Sequence, residues 1–224
     1  MLFRSRPKIE GTRAFGAAIV EYDRVKDDRE AIAARICAER GAVLVKPYDD
    51  AGIVAGQGTV GLEMALAEQR MGFALDEVLV PCSGGGLVSG TALGLKGAGS
   101  DARVHSVEPD NFAGMKLSLE QGRRATAPGG ALSIADALMA PTPGVITFET
   151  GRSLLAPGLS VSDAELEAAM TFAARKLKLL VEPGGAAGLA ALLAGKVDAK
   201  GKNLAVVLSG SNGDPQQIAR LLAR

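Results

Sequence analysis

Residues 78–94 read VLVPCSGGGLVSGTALG, an apolar run that is interrupted by three adjacent glycines and then continues with small and apolar residues. Its apolar start, VLVP, indicates a buried strand, and the residues from about Val88 to Lys96 indicate a helix. Between the two lies the loop Ser83-Gly84-Gly85-Gly86. A strand that passes through a short loop into a helix is typical of α/β proteins, in which such loops build the ligand site.

The Ser-Gly loop favours an anion. Glycines leave backbone N–H groups unobstructed at the start of a helix, where the helix dipole stabilises negative charge. The alternative is a tight turn whose glycines provide only positive φ angles and close packing of helix on sheet. Because three adjacent glycines exceed what a turn needs, we expect this loop to bind phosphate.

Two common phosphate motifs do not match the loop. A nucleoside-triphosphate loop ends in Gly-Lys-Ser/Thr, whereas Gly90 is followed by Thr91 without a lysine. A dinucleotide fingerprint has the spacing G-x-G-x-x-G, and Gly84, Gly86 and Gly90 are one residue too far apart. Glu108, at the end of the next predicted strand, stands where an acid would bind a ribose. A dinucleotide-dependent oxidoreductase domain therefore stays an alternative.

Strand-like and helix-like segments alternate along the rest of the chain. Strands are predicted at 16–22, 42–47, 76–81, 103–109 and 203–210, and helices at 27–40, 58–71, 112–122, 161–178, 184–195 and 214–224. Thr59 and Ser162 are predicted N-caps, and Pro215 suits the first turn of the last helix. This alternation predicts an α/β protein with a mainly parallel sheet and helices on both faces.

A second polar loop follows the last predicted strand. Ser209, Gly210, Ser211 and Asn212 lie at the end of that strand. Because the carboxyl ends of parallel strands meet at one edge of a sheet, we expect this loop beside the Ser-Gly loop. Asn212 and Asp214 are interpreted as caps of the last helix. Ser209 is a candidate ligand contact.

Composition excludes several classes of partner. The chain has 25 Lys+Arg and 25 Asp+Glu, which leaves no net field to attract nucleic acid or an anionic membrane. No stretch approaches the roughly 20 apolar residues of a membrane span. Residues 1–6, MLFRSR, are too short and charged for a signal peptide, and we interpret them as a non-native scar.

Cysteine and histidine offer no metal-site spacing. Cys37 and Cys82 lie far apart, so neither a disulfide framework nor a metal-site pattern is present, and the expected compartment is the cytoplasm. We interpret Cys82 and the single histidine, His105, as packing residues of the core.

Six segments together resemble one enzyme family. They are, in order, GQGTVGLE (56–63), PCSGGGLVSG (81–90), VEP (107–109), SIADAL (133–138), VEPGGAAGLAALL (181–193) and VLSGSN (207–212). In order and spacing they are similar to the pyridoxal-phosphate-dependent threonine/serine dehydratases and serine racemases. The resemblance implies the tryptophan-synthase-β-like fold, fold type II of pyridoxal-phosphate enzymes. It also implies a remainder of the small domain in 7–50 and most of the large cofactor-binding domain in 51–224.

The resemblance implies site residues for pyridoxal 5'-phosphate. The cofactor phosphate is held in the family by a loop that matches Ser83, Gly84, Gly85, Gly86 and Leu87. Ser209 matches the serine that bonds the pyridine nitrogen. Glu182 matches an acid near the cofactor ring, and a structural cap of the following helix is the alternative for this residue.

Other family features are not matched. The Schiff-base lysine lies in a Ser-Phe-Lys type motif ahead of the equivalent of GQGT, and this sequence has no such motif. We therefore expect that the chain is N-terminally truncated and inactive alone. Glu108 matches a position that binds a divalent cation in some relatives, but Gly114 stands where the second acid belongs, so no metal is expected.

The function implied by the resemblance is that of an ammonia-lyase. Such an enzyme converts a small β-hydroxy amino acid, such as threonine or serine, to a 2-oxo acid and ammonia, and the full-length parent is expected to be a homodimer. A serine racemase or another hydroxy-amino-acid dehydratase is the alternative within the family. A non-catalytic ligand-binding remnant is a third possibility.

Overall fold

The structure is a computed structural model that describes residues 6–23 and 26–223. The predicted scar lies outside the described residues except for its last position. Contacts divide the chain into two compact units, Met1–Lys46 and Pro47–Arg224. In the described ranges no helix is both long and apolar enough to cross a membrane.

The described part of the first unit is helical. It contains α1 (Arg6–Ala14) and α2 (Arg29–Arg40). The strands predicted at 16–22 and 42–47 are wrong, because the described residues of both ranges form no strand. Val43 and Val45 are 89% and 75% exposed. Their β-branched side chains fit a strand, but extended backbone also needs a paired neighbour and an apolar cover, and these valines lack that cover.

A parallel sheet forms the centre of the second unit. Its described strands are β1 (Glu77–Pro81), β2 (Arg103–Pro109), β3 (Leu159–Val161) and β4 (Leu204–Val206), in the order β3-β2-β1-β4. β1 pairs with β2 and β4 in parallel, with Glu77 opposite both Arg103 and Leu204. The carboxyl ends of the strands therefore share one edge. The predicted α/β fold with a mainly parallel sheet is confirmed.

Helices cover both faces of this sheet. They are α3 (Ala51–Met71), α4 (Gly86–Gly97), α5 (Gly114–Gln121), α6 (Val145–Gly151), α7 (Asp163–Phe172), α8 (Ala187–Leu193) and α9 (Pro215–Leu222). Successive side chains of β1 point to opposite faces. Leu79 joins a core cluster with Leu166 and Leu189, whereas Val78 and Val80 join another that includes Phe148.

Some helix starts agree with the sequence and one does not. Ser162 caps α7 in a capping box with Glu165, as expected from its spacing. Asp214 caps α9, and Pro215 occupies the first turn. Thr59 is not an N-cap, because α3 begins at Ala51 and the Thr59 hydroxyl donates to a carbonyl inside the helix.

α3 begins seven residues before the predicted start of this helix at residue 58. Asp50 is the N-cap, and its Oδ1 accepts hydrogen bonds from the N–H groups of Gly52 at 2.8 Å and Ile53 at 3.2 Å. The glycines and alanines that follow weaken helix propensity, so the sequence pattern favoured a loop there. Packing against a neighbouring helix overrides that local preference.

Helices α3 and α4 pack backbone against backbone. A Cβ atom at Gly61 would overlap the carbonyl of Thr91, and a Cβ at Gly94 would overlap the carbonyl of Gly58. Such contacts need glycine because they leave no space for a methyl group. The GQGTVGLE segment therefore fixes the position of α4, the helix that begins at the Ser-Gly loop.

Two alanine substitutions in α3 are expected to have opposite effects on stability. Gly61→Ala forces α3 and α4 apart and lowers the free energy of unfolding by about 1 to 3 kcal/mol. Gly56→Ala is the matched control, because Gly56 is exposed and a Cβ there meets no atom within 4 Å. It raises the free energy of unfolding by about 0.5 to 1 kcal/mol through helix propensity. Urea unfolding measures both changes, and equal effects would contradict the packing.

Candidate cofactor site

The Ser-Gly loop presents unused donors at the carboxyl edge of the sheet. Gly85 is the N-cap residue of α4 with a φ of 99°, and no side chain caps the helix. Within the described residues, the N–H groups of residues 85–88 donate to no protein acceptor. Unpaired donors at the positive end of a helix form an anion site. A phosphate group fits this donor set.

The three glycines each have a packing reason. A Cβ on Gly84 would overlap the ring of Tyr48, and one on Gly86 would lie 3.1 Å from the Tyr48 Cβ. Gly85 has a positive φ, and a Cβ there would lie 2.6 Å from the Met115 side chain. Only Gly85 has the positive φ that a turn needs, and Gly84 and Gly86 leave room for Tyr48, so the number of glycines does not by itself indicate an anion. The evidence for an anion site is the set of unused N–H groups.

The start of α6 holds the carbonyl group of Gly84. This oxygen accepts hydrogen bonds from the Gly144 N–H at 3.0 Å and from the Thr147 hydroxyl at 2.6 Å. Asp49 holds α6 in turn, because its Oδ1 accepts from the N–H groups of Ile146 at 2.8 Å and Thr147 at 3.4 Å. The loop is thus anchored to a helix distant in sequence.

Ser209 lies at the same edge of the sheet as the Ser-Gly loop. β4 stays beside β1 beyond its last strand residue, because the Val207 N–H donates to the Leu79 carbonyl at 3.0 Å. Ser209 follows two residues later and is exposed. In the Ser-Gly loop, the Ser83 Oγ already has a partner within the protein, because it accepts a hydrogen bond from the Ala140 N–H at 3.2 Å. The structure therefore places the two predicted loops at the ends of adjacent strands.

Glu182 lies against the second loop. Its N–H donates to the Gly210 carbonyl at 3.0 Å, and its carboxylate occupies the position that a Cβ on Gly210 would take. A Cβ on Gly185 would lie 2.6 Å from the Gly210 oxygen, so glycine is required for this approach. Glu182 does not occupy the N-cap position of the helical segments that follow it, because that position is Pro183 for the 3-10 turn Gly184–Ala186 and Ala186 for α8.

Glu108 is used inside the protein. Its side chain is fully buried, and its two carboxylate oxygens accept from the N–H groups of Met115 and Lys116, both at 2.8 Å. Burial raises the pKa of Glu108 from its ordinary value of 4.5 to about 8, against the opposing effect of these hydrogen bonds. A carboxyl group buried under α5 cannot bind a ribose. Glu108 therefore does not fit the ribose-binding role that the dinucleotide alternative requires.

Cys82 and His105 are buried, as the sequence indicated. Burial raises the pKa of the Cys82 thiol well above its ordinary value, so the thiol stays protonated. His105 is also hydrogen bonded, with Nδ1 2.8 Å from the Pro157 carbonyl and Nε2 2.7 Å from a carboxylate oxygen of Glu77. Among the residues described, no group of three or more metal-ligating side chains occurs.

Sequence reasoning missed the residues that support the loop. Tyr48, Asp49, Gly144 and Thr147 contact the loop or α6 from segments that were predicted as strand end and loop. α6 has seven residues and is too short for a clear helical period. The only local signal was Pro143-Gly144, which marks a break before a new element.

Comparison with known proteins gives a consistent family. The family model described as pyridoxal-phosphate dependent enzyme matches residues 4–210. An L-threonine ammonia-lyase of Thermotoga maritima is 36% identical over 215 residues, which cover 96% of this chain and 52% of that protein. An L-threo-3-hydroxyaspartate ammonia-lyase of Saccharomyces cerevisiae is 35% identical, covering 96% of this chain and 65% of that protein.

A solved structure supports the fold. The structure of maize serine racemase matches with a TM-score of 0.86 and 32% identity, over 97% of this chain and 66% of that one. The chain thus spans between about half and two thirds of the length of these relatives.

The stability of the chain is expected to depend on pH through Glu108. The unfolded chain releases this proton near pH 4.5 and the folded chain near about 8. The contribution of Glu108 to the free energy of unfolding is therefore greatest below pH 4.5. It decreases as the pH rises to about 8, by up to about 5 kcal/mol. Glu108→Gln removes this dependence on pH, and Glu120→Gln, which changes an exposed acid of α5, leaves it. Urea unfolding at pH 5 and pH 8 measures the difference; equal slopes in the wild type and Glu108→Gln would contradict the prediction.

Proposed function

This chain belongs to the family of pyridoxal-phosphate dependent enzymes, and from that premise we propose that it is the cofactor-binding part of an ammonia-lyase. The proposed substrate is a small β-hydroxy amino acid, which would be converted to a 2-oxo acid and ammonia. The observation that carries the proposal is the set of unused N–H groups of residues 85–88, at the same sheet edge as Ser209.

The Ser-Gly loop would hold the cofactor phosphate. Ser83, Gly84, Gly85, Gly86 and Leu87 form the proposed phosphate site. The N–H groups from Gly85 onward supply its donors, and the α4 dipole adds to the attraction. Because burial raises the pKa of Glu108 to about 8, its carboxyl group is mostly protonated at neutral pH and adds little repulsion toward a phosphate.

Ser209 would contact the ring nitrogen. When bound, pyridoxal phosphate supplies an aldehyde that condenses with amines and a ring that withdraws electrons. A neutral hydroxyl group, unlike a carboxylate, does not hold a pyridine nitrogen firmly protonated. Ser209 would therefore moderate electron withdrawal, and this favours loss of a β-hydroxyl group over long-lived carbanion chemistry. Glu182 would support this contact by fixing Gly210, the next residue along the chain.

The choice of substrate follows the named activities of the relatives. Two of them are named for threonine and for 3-hydroxyaspartate, which are both β-hydroxy amino acids. The likeness to maize serine racemase favours racemisation as the second candidate function. We further propose that the parent protein is cytoplasmic and homodimeric, and that it carries the Schiff-base lysine in a segment ahead of this sequence.

Binding of a phosphorylated pyridine tests the proposal. Pyridoxine 5'-phosphate has no aldehyde and cannot attach to surface lysines, so its binding reports the non-covalent site. We expect the 224-residue chain to bind it at least tenfold more tightly than pyridoxine, because the loop donors act on the phosphate. Isothermal titration measures both affinities, with NADH as the dinucleotide comparison. Tight binding of NADH without binding of pyridoxine 5'-phosphate would favour the oxidoreductase alternative.

Removal of the Ser209 hydroxyl is expected to weaken binding of the same ligand. Ser209→Ala loses one hydrogen bond to the ring nitrogen, so the dissociation constant rises roughly twofold to tenfold. Ser211→Ala is the matched control, two residues along the same exposed loop. Fluorescence titration of pyridoxine 5'-phosphate reads both variants. An unchanged affinity in Ser209→Ala would remove this residue from the site.

A further inference from the structure

The orientation of one peptide group decides which way the loop donors point. In a planar trans peptide the C=O of one residue and the N–H of the next point in opposite directions. The Gly84 oxygen points at α6, where it accepts from Gly144 and Thr147. The Gly85 N–H, on the same peptide, therefore points away from α6.

Glycine makes this peptide easy to rotate. Residues without a Cβ adopt positive and negative φ at similar cost, so a peptide between Gly84 and Gly85 has little intrinsic preference for one face. A rotated peptide would turn its carbonyl oxygen toward the mouth of the loop and repel an anion. Hydrogen bonds to the Gly84 oxygen are therefore needed to select the orientation that binds phosphate.

Thr147 is placed to make that selection. It is fully buried, and its hydroxyl lies 2.6 Å from the Gly84 oxygen. Its own carbonyl accepts a hydrogen bond from the Ser89 hydroxyl in α4 at 2.7 Å. Asp49 accepts from its N–H. Three contacts thus fix Thr147, in the first turn of α6, against the Ser-Gly loop and the first turn of α4.

We propose that Thr147 is a positioning residue for the cofactor phosphate, because its hydroxyl holds the Gly84–Gly85 peptide with the Gly85 N–H directed at the anion. The proposal rests on the function proposed above. Thr147 lies outside the Ser-Gly loop. Its role would be to orient the Gly85 N–H before the phosphate binds, which the glycines of the loop cannot do by themselves.

Substitutions at Thr147 test the proposal on the 224-residue chain. Thr147→Val keeps the size and shape of the side chain and removes the hydroxyl. We expect its dissociation constant for pyridoxine 5'-phosphate to rise roughly fivefold to tenfold, and Thr147→Ser to restore most of the affinity. Thr150→Val is the matched control, because the Thr150 hydroxyl donates to the Ile146 carbonyl within the same helix and does not contact the loop.

A second readout separates positioning from general destabilisation. In ¹H–¹⁵N spectra the Gly85 amide resonance is expected to move when pyridoxine 5'-phosphate is added to the wild type, and to move much less in Thr147→Val. If Thr147→Val folds poorly, Thr147→Ser and Thr147→Ala give the same comparison, since both are smaller and only one has a hydroxyl.

The outcomes distinguish this proposal from the proposed function. Equal affinity and equal Gly85 shifts in Thr147→Val and the wild type would overturn the positioning role and leave cofactor binding intact. Failure of the wild type itself to bind pyridoxine 5'-phosphate would overturn both. The positioning role is supported if Thr147→Val binds pyridoxine 5'-phosphate more weakly, Thr147→Ser recovers most of the affinity and Thr150→Val keeps the affinity of the wild type.

Discussion

The close approach of α3 and α4 is the constraint on which the site depends. A carbonyl group of α4 occupies the position that a side chain at Gly61 of α3 would take, and a carbonyl group of α3 does the same at Gly94 of α4. The two helix axes therefore have little freedom to shift. α4 is also held by β1 through the Ser-Gly loop and by α6 through Ser89. Its first turn is therefore fixed in space while its N–H groups stay unused. An anion site needs both properties, because donors that are already in place need not be ordered when the ligand binds.

Several oxygen atoms around the Ser-Gly loop accept hydrogen bonds from groups outside it. Carboxyl groups near the Ser-Gly loop have other partners: Asp49 accepts from the start of α6, and Glu108 is buried under α5 with a raised pKa. The Gly84 carbonyl is likewise turned toward α6 by its hydrogen bonds. Each of these arrangements removes an oxygen that would compete with a phosphate for the same donors. Local electrostatics and packing thus support one binding chemistry.

Much of this fold could be predicted from the sequence, and the exceptions have physical causes. β1, α4, β2 and the capped start of α7 follow patterns that are complete within a few residues, so their prediction agrees with the structure. The strands predicted near Val20 and Val43 failed because strand formation depends on a partner that local sequence cannot supply. Ser209 and the Ser-Gly loop could be assigned to the same edge of the sheet, because both follow the carboxyl ends of parallel strands. Thr147 and Asp49 could not, because their contacts join segments about 60 to 100 residues apart.

A crystal structure of the chain with pyridoxine 5'-phosphate would test the proposed phosphate site most directly. We expect phosphate oxygens at hydrogen-bond distance, about 2.7 to 3.2 Å, from the backbone nitrogens of Gly85, Gly86 and Leu87, with the pyridine ring directed toward Ser209. A phosphate bound elsewhere, or a Gly84–Gly85 peptide whose carbonyl faces the ligand, would contradict it.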